Sequence, residues 1–206
     1  MNIISFLRKL PIDLGQKEFR YKTKGSLISL EIAGEGNGKK ALDAGCGDGF
    51  WSEKLKKAGW QVTSVDRVSN YKDSIKHNLD KELPFKDGSF DLVLSTAVIG
   101  YLNDPQRFIK EVRRVLKPEG PFIMTTPNCG FWLHYFLRIF GCSLKDVLDS
   151  DQRNFFCPKT IKALFPSERI MGYFPYFIFR FRISKLVNIL SPTFIIVGKN
   201  KTPFKL

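Results

Sequence analysis

Gly45-Cys46-Gly47-Asp48-Gly49 stands between a short apolar run, Ala41-Leu42-Asp43-Ala44, and a segment with helical periodicity, Trp51 to Ala58. Glycines at 45, 47 and 49 allow a sharp turn and let a ligand approach the main chain without meeting a Cβ, which implies a nucleotide-type ligand. A dinucleotide fingerprint would place its third glycine at position 50, where Phe50 would obstruct helix–strand packing. Two carboxylates, Asp43 and Asp48, flank the loop. They disfavour a pyrophosphate and favour a ligand with ammonium or sulfonium charge, and S-adenosylmethionine carries both. Asp66 closes the next apolar run, where a carboxylate can accept hydrogen bonds from both hydroxyls of a ribose. The glycines alone would also suit an ordinary strand–helix turn.

The elements that position these residues alternate. Ala41–Ala44, Gln61–Val65, Phe90–Ser95 and Phe122–Thr126 read as strands. Helices are predicted over Trp51 to Ala58, stopped by Gly59, and from Asp104-Pro105 to Lys117-Pro118-Glu119-Gly120, with Asp104 as N-cap and Phe108, Val112, Val115 and Leu116 on the apolar face. Alternation of this kind specifies an α/β fold: a Rossmann-like, mostly parallel sheet with helices on both faces. Thr193 to Gly198 resembles the last strand of such a fold, which is expected to run antiparallel. Phe131 to Phe140 reads as an amphipathic or fully buried helix following the strand Phe122–Thr126.

A chain of 206 residues, 43% hydrophobic and 26% charged, can bury a full core, which excludes disordered and disulfide-stapled classes. Cys46, Cys129, Cys142 and Cys157 include no CxxC pair, and only His77 and His134 could join them, so neither a metal site nor a disulfide is expected. The longest charge-free stretch, Gly120 to Leu137, contains Pro121, Pro127, Asn128 and Gly130 and does not read as a membrane span. The start, Met1 to Leu7, does not read as a signal peptide, and the expected compartment is the cytoplasm, with membrane-peripheral attachment as a variant. Charge is uneven: of the net +13, residues 1–40 carry +4, 41–128 carry +1 and 129–206 carry +8, together with 16 of 28 aromatic residues. One domain, 1–206, is expected, divided into an N-terminal helical cap (1–37), a cofactor-binding core (38–128) and a substrate cover with final strands (129–206).

Leu42 to Gly49 resembles the first motif of the class I S-adenosylmethionine-dependent methyltransferases. Leu83-Pro84-Phe85, Asp87 to Val93, Glu111-Val112, Arg114 to Pro118 and Thr126-Pro127-Asn128 follow in the order of the branch that includes ubiquinone and menaquinone biosynthesis methyltransferases. The resemblance spans residues 38–128. It implies S-adenosylmethionine as cofactor, leaving as S-adenosylhomocysteine. It also implies that Asp43, Gly45, Cys46, Gly47 and Gly49 hold the methionine part, Asp66 the ribose and Asn78-Leu79 the adenine, with Arg67 and Ser95 completing the contacting set. The sequence departs from the family at Asn78, where an acidic residue is usual, at Gly100-Tyr101, where relatives often carry Glu-His, and at Glu119, in place of a turn glycine.

The expected reaction is in-line transfer of a methyl group to a small-molecule or lipid-like acceptor. Tyr101 is a candidate for orienting the acceptor or a simple wall residue, and His134 a candidate proton acceptor or a surface histidine of a helix. The basic, aromatic segment Tyr173 to Ile183 and the N-terminal face of Ile3, Phe6, Leu7 and Leu10 suit peripheral contact with an anionic membrane, a buried strand and helix, or an RNA surface. The N-terminal face could equally close over the cofactor as a lid. A tRNA or rRNA methyltransferase and a non-catalytic nucleotide-fold binding protein are the competing functions; Ser95-Thr96-Ala97-Val98 stands where a base-flipping amino methyltransferase would carry its base-pocket motif. The oligomeric state is not legible.

Overall fold

The computed structural model describes residues 24–141, 143, 151–174 and 182–201. Helix α1 (Lys24–Ala33) precedes strand β1 (Lys40–Ala44), helix α2 (Phe50–Lys57), β2 (Gln61–Asp66), β3 (Ser74–Lys76) and β4 (Leu92–Thr96). Then come α3 (Pro105–Val115), β5 (Pro121–Pro127), α4 (Trp132–Ile139), α5 (Pro158–Leu164), β6 (Arg169–Tyr173), β7 (Arg182–Ile183), α6 (Val187–Leu190) and β8 (Thr193–Lys199). The strands form one sheet in the order β3-β2-β1-β4-β5-β8-β6-β7. The first five are parallel, and β8 runs antiparallel to β5, as expected. Strands β6 and β7 extend the antiparallel part by two further steps.

Strand alternation divides the core. Ala41, Leu92, Leu94, Ile123 and Ile195 meet Trp51 and Leu55 of α2 and the apolar residues of α1 on one face. Leu42, Val93, Phe122, Met124, Phe194 and Ile196 meet Phe108, Val112 and Val115 of α3, together with Ile161 and Phe165, on the other. Both faces are covered, so the central strands read as continuous apolar runs.

The local signals act where expected. Asp104 Oδ1 accepts from Arg107 N (2.9 Å), and Gly59, at φ +80°, donates to Lys56 O (3.0 Å) where α2 ends. Strands β3 and β6 lay outside the sequence reading, because β3 is only three residues long and β6 mixes glycine with exposed charge, while the two-residue β7 falls at the end of Tyr173 to Ile183, for which a strand is one reading. The segment predicted as a strand from Phe90 begins at Leu92, with Phe90 held by a single bridge to Leu116. Part of Tyr173 to Ile183, residues 175–181, and the N-terminal face of Ile3, Phe6, Leu7 and Leu10 lie outside the described residues. Arg182 is paired with Glu31 of α1. Among the described residues no helix is long and apolar enough to cross a membrane.

Candidate functional site

The glycine loop leaves the carboxyl end of β1 at the middle of the parallel strands, between β2 and β4. Gly45 has φ +88°, and a methyl group there would lie 2.2 Å from Val98 Cγ2, so no larger residue fits between the loop and the segment after β4. Gly45 N and Cys46 N both donate to Val65 O (2.7 and 3.1 Å), tying the loop to β2. Asp66, at the end of β2, accepts from Gly47 N at Oδ2 (2.8 Å) and from Val68 N at Oδ1 (3.0 Å). Each of its oxygens keeps a second lone pair, enough for the two hydroxyls of a ribose.

Asp43 is fully buried on β1. Its Oδ2 accepts from Ser52 Oγ of α2 (2.6 Å), which shares a hydrogen bond with Ser64 Oγ of β2 (2.7 Å), while its Oδ1 is buried with no partner. Burial pushes its carboxyl up to about 7, and the charges of Asp66 and Asp48 add to the rise against the hydrogen bond from Ser52. An orphaned carboxylate oxygen beside two more carboxylates is completed by a cationic donor. The ammonium of S-adenosylmethionine is such a donor, and its sulfonium, which carries no hydrogen, suits the same carboxylates by charge alone. Cys46 is buried 3.8 Å from Ser69 Oγ, and burial pushes its thiol up to about 11, a protonated wall group rather than a nucleophile.

Strand β3 carries its end to the same place, since His77 N donates to Asp66 O (2.8 Å) and Asn78 and Leu79 follow. Leu79 is buried. Asn78 Oδ1 already accepts from Asp80 N (3.0 Å), closing a local turn, so its acceptor is shared with the backbone rather than wholly free for a base. Arg67 is exposed. Ser95 Oγ is buried and donates to Ala44 O (2.9 Å), so its hydroxyl braces β4 against β1.

Tyr101 ends a 3-10 turn, Ile99–Tyr101, after β4 and is half-buried. His134 is not on a surface: it is buried on α4 against Phe131, with ring centroids 5.6 Å apart, and burial pulls its imidazole down to about 4. A histidine so hard to protonate is a weak base at neutral pH. Among residues the sequence reading missed, Ser52, itself bonded to Ser64, holds Asp43, and Val98, Ser69 and Tyr71 shape the loop. Serine spacing and an isolated tyrosine carry no signal in a single sequence.

Residues 42–124 match the family model described as a methyltransferase domain. A probable S-adenosylmethionine-dependent methyltransferase of Mycolicibacterium smegmatis is 34% identical over 100 residues, covering 44% of this chain and 39% of that protein. Residues 42–124 are a class I S-adenosylmethionine-dependent methyltransferase domain. A ubiquinone biosynthesis O-methyltransferase of Coxiella burnetii is 34% identical to it over 107 residues, 46% of each protein. A malonyl-[acyl-carrier protein] O-methyltransferase of Erwinia pyrifoliae is 32% identical over 106 residues, 47% of this chain and 40% of that protein. The matched part of the chain thus spans under half the length of these curated relatives. The fold extends beyond the matched residues. An S-adenosylmethionine-dependent methyltransferase structure from Mesorhizobium loti superposes with a TM-score of 0.65 at 15% identity, over 86% of this chain and 98% of that one.

Proposed function

We propose that this methyltransferase domain binds S-adenosylmethionine at the β1, β2 and β3 ends and catalyses methyl transfer to a small-molecule or lipid-like acceptor. The observation that carries the reading is the buried, half-partnered Asp43 beside Asp66 and Asp48, at a loop whose glycines admit close approach. When bound, the cofactor supplies a methyl carbon activated by a sulfonium, which departs as a neutral thioether. The chain's own tasks are then to bind, align and exclude water. Asp66 holds the ribose, Asp43 balances the positive charge, and Asn78 with Leu79 borders the adenine. Tyr101, in the 3-10 turn after β4, is a wall or orienting group for the acceptor. With His134 buried and neutral, no proton transfer is assigned to it, and the reading favours an acceptor that ionises without help from a strong base.

The lipid-like acceptor draws support from α4. Its inner face, Leu133, His134 and Leu137, is buried, yet its outer face is apolar as well: Tyr135, Phe136, Ile139 and Phe140 are 60%, 45%, 79% and 54% exposed. Arg138 lies among them in the last turn. A helix that follows the carboxyl end of β5 with aromatic rings and a cation outward suits peripheral contact with an anionic membrane. Methylation of RNA stands as the second reading, supported by the net +13 charge.

Calorimetry tests the cofactor assignment. Wild-type protein is expected to bind S-adenosylmethionine and S-adenosylhomocysteine, and Asp66→Ala to weaken both by about 1.5–3 kcal/mol, the loss typical of charge-assisted hydrogen bonds. Binding of NAD with none of S-adenosylmethionine would overturn it.

A further inference from the structure

Strands β2 and β3 pair in parallel, Ser64 with Ser74 through Asp66 with Lys76, yet only residues 67–73 connect them. Parallel neighbours ordinarily need a crossover of a dozen or more residues, usually a helix that packs on the sheet and anchors the turn that leads into it. Here the turn is the one that carries Asp66, and no helix lies within residues 67–73 to anchor it. Side chains of the short connection do so instead. Ser69 Oγ donates to Gly47 O (2.7 Å) and accepts from Tyr71 N (3.0 Å). The Tyr71 ring lies against Gly49, where a methyl group would come within 2.3 Å of its Cδ2. The Tyr71 hydroxyl donates to Glu53 Oε1 of α2 (2.5 Å) and accepts from Lys56 Nζ of α2 (2.6 Å), which also reaches Asp73 (2.9 Å).

We infer that Ser69 and Tyr71 are positioning residues of the cofactor site, latching the Asp66 turn onto the glycine loop in place of a crossover helix. The inference rests on the reading that this loop and Asp66 receive S-adenosylmethionine. It assigns the two residues distinct work. Ser69 fixes the distance between the turn and Gly47, whose amide holds one Asp66 oxygen. Tyr71 covers Gly49 with its ring and uses its hydroxyl to join the turn to the first two turns of α2. The ring contact is the larger part, because the ionic partners are exposed, with Glu53 and Asp73 side chains about half accessible and Lys56 a third.

The test uses the full chain and S-adenosylhomocysteine as the probe. Ser69→Ala and Tyr71→Ala are expected to weaken binding about tenfold or more, whereas Tyr71→Phe, which keeps the ring, stays within about threefold of wild type. Lys117→Ala serves as the comparison: it breaks an ion pair with Asp91 at the opposite ends of the strands and is expected to leave affinity unchanged. Hydrogen exchange gives a readout that needs no ligand. The amides of residues 46–49 and of Val68 are expected to exchange faster in Tyr71→Ala and Ser69→Ala than in wild type or Lys117→Ala. Should Tyr71→Ala fail to fold, Lys56→Met and Ser69→Ala carry the same two measurements, with Lys56→Met losing about threefold in affinity. Unchanged affinity and unchanged exchange in Ser69→Ala and in whichever of Tyr71→Ala or Lys56→Met folds would overturn the latch while leaving the cofactor reading intact. A wild-type protein that ignores the probe would overturn the cofactor reading, and the exchange data would still decide the latch.

Discussion

Asp43 and His134 are both displaced by burial, in opposite directions, and the consequences separate with pH. The Asp43 carboxyl rises to about 7 in the folded protein from a reference value of 3.8. The folded state therefore holds that proton more tightly than the unfolded chain, and the stability it contributes is present below about pH 4 and lost as pH rises toward 7. His134, lowered from 6.5 to about 4, contributes stability above about pH 6.5 that is lost as pH falls toward 4. The two slopes oppose each other between about pH 4 and 6.5. Asp43→Asn removes one of them. Urea unfolding across this range should show the variant gaining on wild type by on the order of 4 kcal/mol as pH rises from 4 to above 7. A difference that does not move with pH would mean that Asp43 titrates as an ordinary carboxylate. A cationic ligand favours the ionised carboxylate, so S-adenosylmethionine binding near pH 6.5 should release a proton, seen as a calorimetric heat that varies with buffer.

At the scale of elements, the motif residues read from the sequence turn out to hold one another. Arg114 of α3 donates to Leu83 O (2.9 Å) and Phe85 O (2.8 Å) and pairs with Glu111 and Asp87, while Leu83 N donates to Glu111 Oε2 (2.8 Å). Their fixed order along the chain thus has a structural cause: α3 clamps the loop that leads into β4. Asn128 does the same after β5, donating to Val187, Asn188 and Ser191 carbonyls and accepting from Gly130 N. Glu119 is the element-scale anomaly. It takes φ +59° in the turn before β5, a conformation that costs a residue with a Cβ roughly 1–2 kcal/mol, and its ion pair with Lys199 is exposed. Glu119→Gly is expected to stabilise the fold by about 0.5–1 kcal/mol after glycine's extra unfolded-state entropy is counted, raising the denaturation midpoint. Gly120→Ala should do the opposite, since its Cβ would lie 2.9 Å from Lys117 O. A fall in stability for Glu119→Gly would show that the Lys199 pair outweighs the strain.

For the whole molecule, the exposed apolar residues among the described part of 129–206 include the outer face of α4, while most of the basic, aromatic stretch Tyr173 to Ile183 lies outside the described residues. Arg180 lies outside the described residues, and Arg182 is occupied by Glu31. Weak, salt-sensitive binding to anionic vesicles is expected, with Trp132 at the start of α4 shifting its emission to the blue. Phe136→Ser with Ile139→Ser should reduce that binding several-fold without lowering affinity for S-adenosylhomocysteine. Equal binding to neutral and anionic vesicles would remove the electrostatic part of the proposal, and structured RNA that binds tightly and becomes methylated would replace it.

Glycines 45, 47 and 49, the carboxylates at 43 and 66, the N-cap at Asp104 and the alternating apolar runs were legible in the sequence because each acts within a few residues of itself. Periodicity, turn chemistry and loop backbone freedom are local, so the α/β class, the order of the parallel strands' segments and the place of the glycine loop at the end of β1 followed from them. Only the tertiary structure decided which side of its helix His134 turns inward, that Asn78 and Ser95 spend polar atoms on the backbone, and that Asp43 keeps an orphaned oxygen. It also decided that Ser69 and Tyr71 reach the glycine loop. These depend on contacts between residues far apart in the chain, where burial and unmet hydrogen bonds are properties of the packed whole and leave no trace in spacing or composition.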